Sequence, residues 1–521
     1  MKAHLVGGGI ASLAAAAYLI KEGNLLGPNI TIYESGSVPG GALDAGGSPD
    51  TGYIMRGGRM FEEKYLCTRD LLSFIPTIHD PATSVTQDIV KFYETSSWNN
   101  QARLINSHAE IVDAEHFGLS VRDKLNLAEL ALRPEVTLQS VQISDCFQPS
   151  FFNTNFWRMF ATIFAFTPSN SAMEMRRYLH RFFHLMPTMA TMMAVQRTRF
   201  NQYESIVKPV ASWLKDLGVH IRTGTRVTNI ELKPGDEEII ANRLELTCDG
   251  HAEVVKVAEK DLVFVTLGSM VADSSSGSMT AAPELVTSGR DGSWELWEKL
   301  SVLRKGFGNP AAFNGNPHET AWESFTVTDR EHRFVARVEE LSKRRAGRGG
   351  LMTLAESNWL ITFVLLHHPH FIDQPDNRWV WWGYGLFGDQ PGNYVKKPMA
   401  ECSGAEILEE VLRHLNFDSD IDRILASSTC IPTIMPYGGS VFAPRRSGDR
   451  PDVVPQGSKN LAFLGQFAEL PEDVVFTVEY SVRTALTAVS SLLNLERVPP
   501  PVYKGERDPG LVFRGLKAIQ N

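Results

Sequence analysis

The sequence predicts an α/β fold in which one Rossmann-like unit is assembled from three separated stretches of chain and interrupted by two insertions. Three observations predict it. The chain opens on AHLVGGGIASLAAAAYLIKEG, a short β-type run broken by three glycines and continued by an alanine-rich helix former. A strand-rich region runs from VHIRTGTRVTNIEL through DLVFVTLGSM, and NLAFLGQFAELPEDVVFTVEYSVRTALTAV near the other end couples a β run and Gly465 to a helix.

The first segment reads as strand, tight turn, helix. Gly7 and Gly9 let the backbone approach a pyrophosphate that sits on the free N–H groups at the start of the helix, and Ser12 fills the third small position, where helix and strand pack closely. A second strand, NITIYES, ends in Glu34, whose carboxylate stands where the ribose hydroxyls of an adenine dinucleotide are held. VPGGALDAGG follows, with Gly41 in a second glycine loop of the kind flavoproteins use, so the expected cofactor is FAD. Next comes RGGRM. Arg56 and Arg59 bracket Gly57 and Gly58, a tight turn that presents positive charge, and Met60 and Phe61 behind it offer no ionisable group. Val227, Gly465 and Gln466, from the other two stretches, complete the expected cofactor set.

The expected division is residues 1–60, 205–285 and 451–495 for the discontinuous FAD-binding domain, 61–204 for a mainly helical substrate domain, 286–450 for a mixed substrate or cap domain, and 496–521 for a C-terminal tail. Within the helical insertion, Phe152, Phe156, Phe160 and Phe164 recur at four-residue steps, which aligns them on one helix face. Met175, Tyr178, Phe182 and Leu185 continue at helical spacing in a methionine-dense segment suited to a long, flexible apolar ligand. Tyr178 therefore faces the apolar side, either as a core residue or as a proton donor made more acidic by nearby guanidinium charge. The proline-broken tail after Pro499 reads as a surface segment, with a contact on a partner or on lipid as the alternative.

Composition excludes several classes. A net charge of −9 argues against a nucleic-acid partner. Five scattered cysteines contain no CxxC pair and read as reduced thiols, and HHPH at 367–370 suits a strand-end turn better than a metal site, so no metal is expected. No apolar run reaches the ~18–20 residues of a membrane span and the first residues make no signal peptide. The expected location is cytoplasmic, with loose attachment to a membrane surface left open.

Long ordered strings carry a resemblance over nearly the whole chain: RGGRM at 56, NFWRMFATIFAF at 155, SAMEMRRYLHRF at 171, RFNQYES at 199, WWGYGLFGDQPGNYVKKPMAECSGAEIL at 381, IPTIMPYGGSVFAPRRSGDRPDVVP at 431 and GQFAELPEDVVFTVEYSVR at 465. The sequence resembles the FAD-dependent fatty acid double-bond hydratases, the oleate hydratase or myosin-cross-reactive-antigen family. The resemblance implies addition of water across an isolated cis double bond of a free unsaturated fatty acid, with FAD ordering the RGGRM loop and moving no electrons. It makes Tyr178 the expected proton donor. It also places Met60 where most members carry a glutamate proposed to orient or deprotonate water, so the base is expected from Glu62, Glu63, Asp44 or a backbone carbonyl, or is dispensable. Tyr437, Gly438 and Ser440 are expected to border the substrate. Some members carry an extra N-terminal helical segment used in dimer contacts; its absence here makes a monomer the expectation, with a homodimer open. The alternatives are a flavin isomerase or oxidoreductase on the same scaffold, and a lipid-binding protein that has lost the chemistry.

Overall fold

The strand Ala3–Val6 is the middle of a five-stranded parallel sheet in the order Leu461–Leu464, Leu262–Thr266, Ala3–Val6, Ile30–Tyr33, His220–Arg222. The computed structural model describes residues 1–58, 60–95, 98–235, 237–287 and 292–505, so the end of the C-terminal tail, 506–521, lies outside the described residues. Strands covered on both faces read as unbroken apolar runs, and LVFV and LAFL do so here with every residue buried. The helix Ile10–Lys21 is buried from Ile10 through Leu19 and packs against Val478–Leu492. Its four consecutive alanines permit that close approach, because a helix covered all round has no polar face to keep.

Thr225–Leu232, Ala241–Cys248 and His251–Lys256 form a separate antiparallel meander. The third sheet has eight strands in the order Ser275–Ser276, Ser428–Met435, Trp322–Asp329, Trp379–Gly385, Thr362–Leu365, Met352–Leu354, Leu104–Ile105, Ile111–Val112. It draws two short strands from the largely helical stretch and one from the stretch around 275, so the two insertions share a sheet. One face carries a second core of Phe325, Phe334, Trp381 and Val411. The hairpin Ala45–Ser48/Gly52–Met55 lies on the sheet through alternate threonines of Trp322–Asp329: Tyr53 N–H donates to Thr328 Oγ1 at 2.9 Å and Met55 N–H to Thr326 Oγ1 at 3.0 Å. That anchorage fixes where the chain leaves the hairpin at Met55 and enters the loop beginning at Arg56.

The aromatic stripe forms the helix Asn155–Phe164, started by Thr154, whose hydroxyl accepts from Trp157 N–H. Phe156 stacks on Phe160 at 5.7 Å and Phe160 meets Phe164 at 5.0 Å, while Phe152 falls in the 3₁₀ turn ahead of the helix. The next helix, Ala172–Phe182, stops short of Leu185, which lies in the following Pro187-containing turn. Buried charge locks this helix to the C-terminal half. Glu174 takes Arg445 at 3.1 Å and Arg450 at 2.9 Å, and Arg177 bridges Glu135 and Glu469. Burial opposes the Glu174 charge, but the Arg450, Arg445 and Arg177 guanidiniums outweigh it and bring the carboxyl down to about 2.

Candidate functional site

A groove of ≈ 2120 Å³ runs along the carboxyl ends of the parallel strands, and Gly7, Gly9, Glu34, Gly41, Arg56, Gly465 and Gln466 all line it. Gly7, at φ +90°, and Gly465, at φ +83°, both abut Thr266: a Cβ on either would come within 3.2 Å of that side chain. A Cβ on Gly9 would meet nothing within 4 Å, so its face is open to the groove. It is also the N-cap of Ile10–Lys21 and no side chain caps that helix, which leaves the first N–H groups for an anion. Ser12 Oγ meets Thr266 Oγ1 at 3.1 Å beneath the cradle. Thr266 is the residue that sequence reasoning missed; its only signal was its place at the end of the DLVFVT strand.

Glu34 reaches the groove with its carboxylate already accepting the N–H groups of Gly8 and Gly36, each at 2.6 Å. Val227 is buried in the meander and does not line the groove; its neighbour Arg226 does. The alternation of a strand explains the difference, since successive side chains point to opposite faces. Gly57 is buried, and Arg59 lies outside the described residues. Arg56 pairs with Asp44 at 3.0 Å inside the groove; burial raises the Asp44 carboxyl and Arg56 opposes the rise.

Two apolar cavities lie beyond the loop that leaves this groove, with ≈ 830 and ≈ 860 Å³ of space when their open mouths are included, and the second adjoins the groove. Gly58, Met60, Ile163 and Phe476 line both, so the loop that leaves the groove forms the partition between them. The second cavity shares Thr477 and Val478 with the groove and is rich in methionine, with Met186, Met189 and Met192 in its wall. The first runs between Trp322, Trp382 and Tyr384 on one side and Phe92, Trp98 and His367 on the other. His367 and His370 of the HHPH string both line it, and no group of three or more metal-ligating side chains occurs among the described residues.

Tyr178 stands behind the partition. It is fully buried and lines neither cavity; its oxygen accepts the Phe476 N–H at 2.9 Å, and its ring is enclosed by Phe164, Phe166, Phe182 and Phe442. Its own O–H has no protein acceptor among the described residues. The expected increase in acidity is reversed. Burial pushes the phenol well above its ordinary value, and although the Phe476 N–H opposes this, the Glu174 and Asp473 carboxylates add to it. Arg177 and Arg181 spend their charge on glutamates instead.

Tyr437, Gly438 and Ser440 line neither cavity. Tyr437 packs on Trp294, Ser440 Oγ donates to the Tyr437 carbonyl at 2.7 Å, and a Cβ on Gly438 would strike Trp322 at 2.7 Å. Their loop supports Trp322 from behind. Of the carboxylates considered for the missing base, Glu63 is exposed and paired with Lys64, and Asp44 belongs to the groove. Glu62 lines the second cavity, only 4% exposed, between Arg181 at 2.6 Å and His184 at 2.9 Å. Burial opposes its charge, but the His184 hydrogen bond and Arg181 together hold the carboxyl below the usual range.

Backbone glycines at an uncapped helix start, backed by a parallel sheet and close to two apolar cavities, define a protein built on a Rossmann-like FAD-binding fold. Sequence comparison narrows the class. Residues 1–490 match the model of the MCRA family, and the chain belongs to that family. It is 37% identical over 97% of its length to an oleate hydratase of Streptococcus pyogenes serotype M49 (strain NZ131), covering 87% of that protein. It is 31% identical to a linoleate hydratase of Lactiplantibacillus plantarum, over 99% of this chain and 98% of that one. Among solved structures it is similar to a putrescine oxidase bound to putrescine (TM-score 0.54, 12% identity, 95% of this chain and 99% of that one). Cyclohexylamine oxidase from Brevibacterium oxydans IH-35A is similar to the same degree (TM-score 0.55, 14% identity, 95% and 98%). At such identities the two oxidases speak for the fold alone.

Proposed function

We propose that this protein is a fatty acid hydratase: it adds water across an isolated cis double bond of a free unsaturated fatty acid and releases a hydroxy fatty acid. The observation that carries the reading is the pair of apolar cavities meeting at Gly58, Met60 and Phe476 beside a dinucleotide groove. The likeness to an oleate and a linoleate hydratase supports it. FAD fits the groove, where Gly7, Gly9, Gly41 and Gly465 permit close approach of its phosphates and Arg56 supplies positive charge. When bound, it supplies a rigid face and fixed charge against the 56–60 loop, with no net redox change.

The residues then divide the work. The cavity walls exclude bulk water, so that the few water molecules admitted are oriented by the polar groups of the wall. Tyr178 lines neither cavity, so in this reading the Phe476 side chain must first turn aside; the O–H proton then passes to one alkene carbon, and the Phe476 backbone N–H already bonded to the oxygen stabilises the phenolate left behind. Water bonds to the neighbouring carbon. The proton that this water loses goes to Glu62 and from there back to the phenolate, so alkene and water are the only species consumed. Met60 keeps the junction dry and takes no part in proton transfer. Purified protein loaded with FAD and given oleate or linoleate is expected to yield a product heavier by one water, with no oxygen uptake. Stoichiometric oxygen consumption, or bleaching of the flavin by substrate without air, would overturn the reading.

A further inference from the structure

The wall of the first cavity beside the partition is built of aromatic rings. Trp322 opens the strand Trp322–Asp329, and Trp382 and Tyr384 stand two residues apart on the paired strand Trp379–Gly385. Strand alternation turns these three toward the cavity, while Phe325 and Trp381 of the same strands face the second core. Each is nearly enclosed, at 8%, 3% and 3% exposure. The ring centroids are 6.1 Å apart for Trp322 and Trp382, 5.2 Å for Trp322 and Tyr384, and 5.1 Å for Trp382 and Tyr384. The cluster is held from behind: the turn at Gly438 packs on Trp322, and the Tyr384 O–H donates to the Thr162 carbonyl. A phenol that gives its proton to an acceptor keeps an electron-rich ring.

The cluster reaches the partition itself. A Cβ on Gly58 would lie 3.6 Å from Cε3 and Cζ3 of Trp382, and the Phe476 ring stands edge-on to Trp322 with centroids 6.5 Å apart. When a double bond lying there is protonated, its electron pair forms a C–H bond and leaves one positive charge on the neighbouring carbon. A lone pair of water then closes the C–O bond, and the surplus proton leaves. Between those events the charge needs a partner, because isolated charge in apolar surroundings is costly. Among the described residues no Asp or Glu lines the first cavity, Glu62 lines only the second, and Gly58, Met60, Ile163 and Phe476 carry no charge. What the wall does present is ring faces, which are negative above the ring plane. Attraction of a cation to such a face is strongest for tryptophan and grows where water is excluded.

We propose that Trp322, Trp382 and Tyr384 are catalytic residues of the hydration, holding the carbocation at the partition by cation–π attraction. The proposal rests on the hydratase reading above and adds the group that touches the charged carbon from the side of the first cavity. It complements the remote carboxylate of Glu62. A carboxylate in contact with the cation would capture it as an ester, whereas a ring face attracts it without forming a bond and leaves the carbon open to water. The rings also attract charge only while it exists. The neutral alkene and the neutral alcohol gain little from them, and the charged species between gains most, which is the condition for acceleration.

The test uses a ligand that carries the charge permanently. Stearate in which one methylene, at the position of the double bond of oleate, is replaced by NH is an ammonium there near neutral pH, and stearate is its counterpart without the mid-chain charge. Both are titrated, below their aggregation concentrations, into FAD-loaded full-length protein, and oleate hydration is measured in parallel. Trp382→Leu is expected to weaken the aza acid by roughly 10- to 100-fold and stearate by less than ~3-fold, and to lower kcat for oleate by a similar ~10- to 100-fold with KM little changed. Trp322→Leu and Tyr384→Leu act in the same sense, and Trp382→Phe, which keeps a ring with a weaker face, falls between. A merely structural role would weaken the two ligands alike. Equal weakening, an undiminished kcat in Trp382→Leu, or a preference for the ammonium that Glu62→Gln abolishes and Trp382→Leu does not, overturns the proposal. Should the leucine variants not fold, Trp382→Phe and Trp322→Phe decide it by the same ratio: a few-fold loss specific to the aza acid is expected, and no such loss overturns it. Ring-dependent binding of the ammonium by a protein that returns oleate unchanged would instead overturn the hydratase reading and leave the cation site standing.

Discussion

Replacing Tyr178 by phenylalanine separates chemistry from packing, because the structure assigns the hydroxyl a structural task whose size can be worked out. The ring stays, with its contacts to Phe164, Phe166, Phe182 and Phe442, and only the oxygen that accepts the Phe476 N–H is lost. A buried N–H left without an acceptor costs about 1–3 kcal/mol. In a chain of 521 residues that moves the melting temperature by only a few degrees. Loss of a general acid costs about 10²- to 10⁴-fold in rate, or about 3–5 kcal/mol of barrier. The expected Tyr178→Phe protein is therefore folded, retains FAD and binds oleate, yet hydrates it at least ~100-fold more slowly. Initial rates by product mass, paired with thermal melting, read both quantities. Because burial holds the phenol well above its ordinary value, wild-type turnover should also show no loss attributable to this group up to about pH 10. A variant that keeps more than about a tenth of the rate would refute the role and leave Tyr178 as a prop for Phe476.

Glu62→Gln should lower turnover by about 10²-fold or more if this carboxylate takes the water's proton, with oleate affinity little changed; an unaltered rate would show that water needs no base here. Met60→Glu puts a carboxylate at the junction of the cavities, and single-turnover rates are expected to rise by about 10-fold and to gain an acid limb in their pH profile. Glu174→Gln leaves Arg445 and Arg450 buried without their anion and should cost about 3–5 kcal/mol in denaturant unfolding. Asp329 tests the opposite sign. Burial raises it to about 7 although Ser428 and Trp381 hydrogen-bond to it, whereas in the unfolded chain it titrates near 3.8. The folded state therefore holds the extra proton between these values, and the stability this contributes is complete below about pH 4, declines as pH rises and is gone above about pH 7. The full span is about 4 kcal/mol. Comparing wild type with Asp329→Asn across about pH 4–8 should reveal that slope as a difference; parallel curves would refute it.

What was legible in the sequence is what local conformation dictates. Gly7 must turn through positive φ and Gly9 must leave a helix start bare, and both demands are written in the adjacent residues; with Glu34, Gly41 and Gly465 they line a single groove. Helix period likewise put Tyr178 on the apolar face. Period says which way a side chain looks, however, and not what stands in front of it: Phe476, far along the chain, separates the phenol from both cavities. The 437–440 loop misled for the same reason, since a polar turn beside a strand looks alike whether it borders a ligand or props Trp322. Two-residue strands such as Leu104–Ile105 carry no measurable alternation, and their place in the eight-stranded sheet follows only from long-range pairing.

Met60 is where the chemistry and the packing meet. A thioether at the meeting point of two apolar cavities can neither orient water by charge nor accept its proton, so position 60 contributes shape and dryness alone. Cationic charge developing on an alkene carbon beside it is then answered from a distance, by the ionised Glu62 in the adjoining wall and by whatever dipoles the groove presents. In a water-excluded space such remote charge counts for more than it would in solution, and a carbon already bearing positive charge is captured by water with little help. The demand on the protein thus moves from base strength to placement: the chain must lie with its double bond at the Gly58–Phe476 partition.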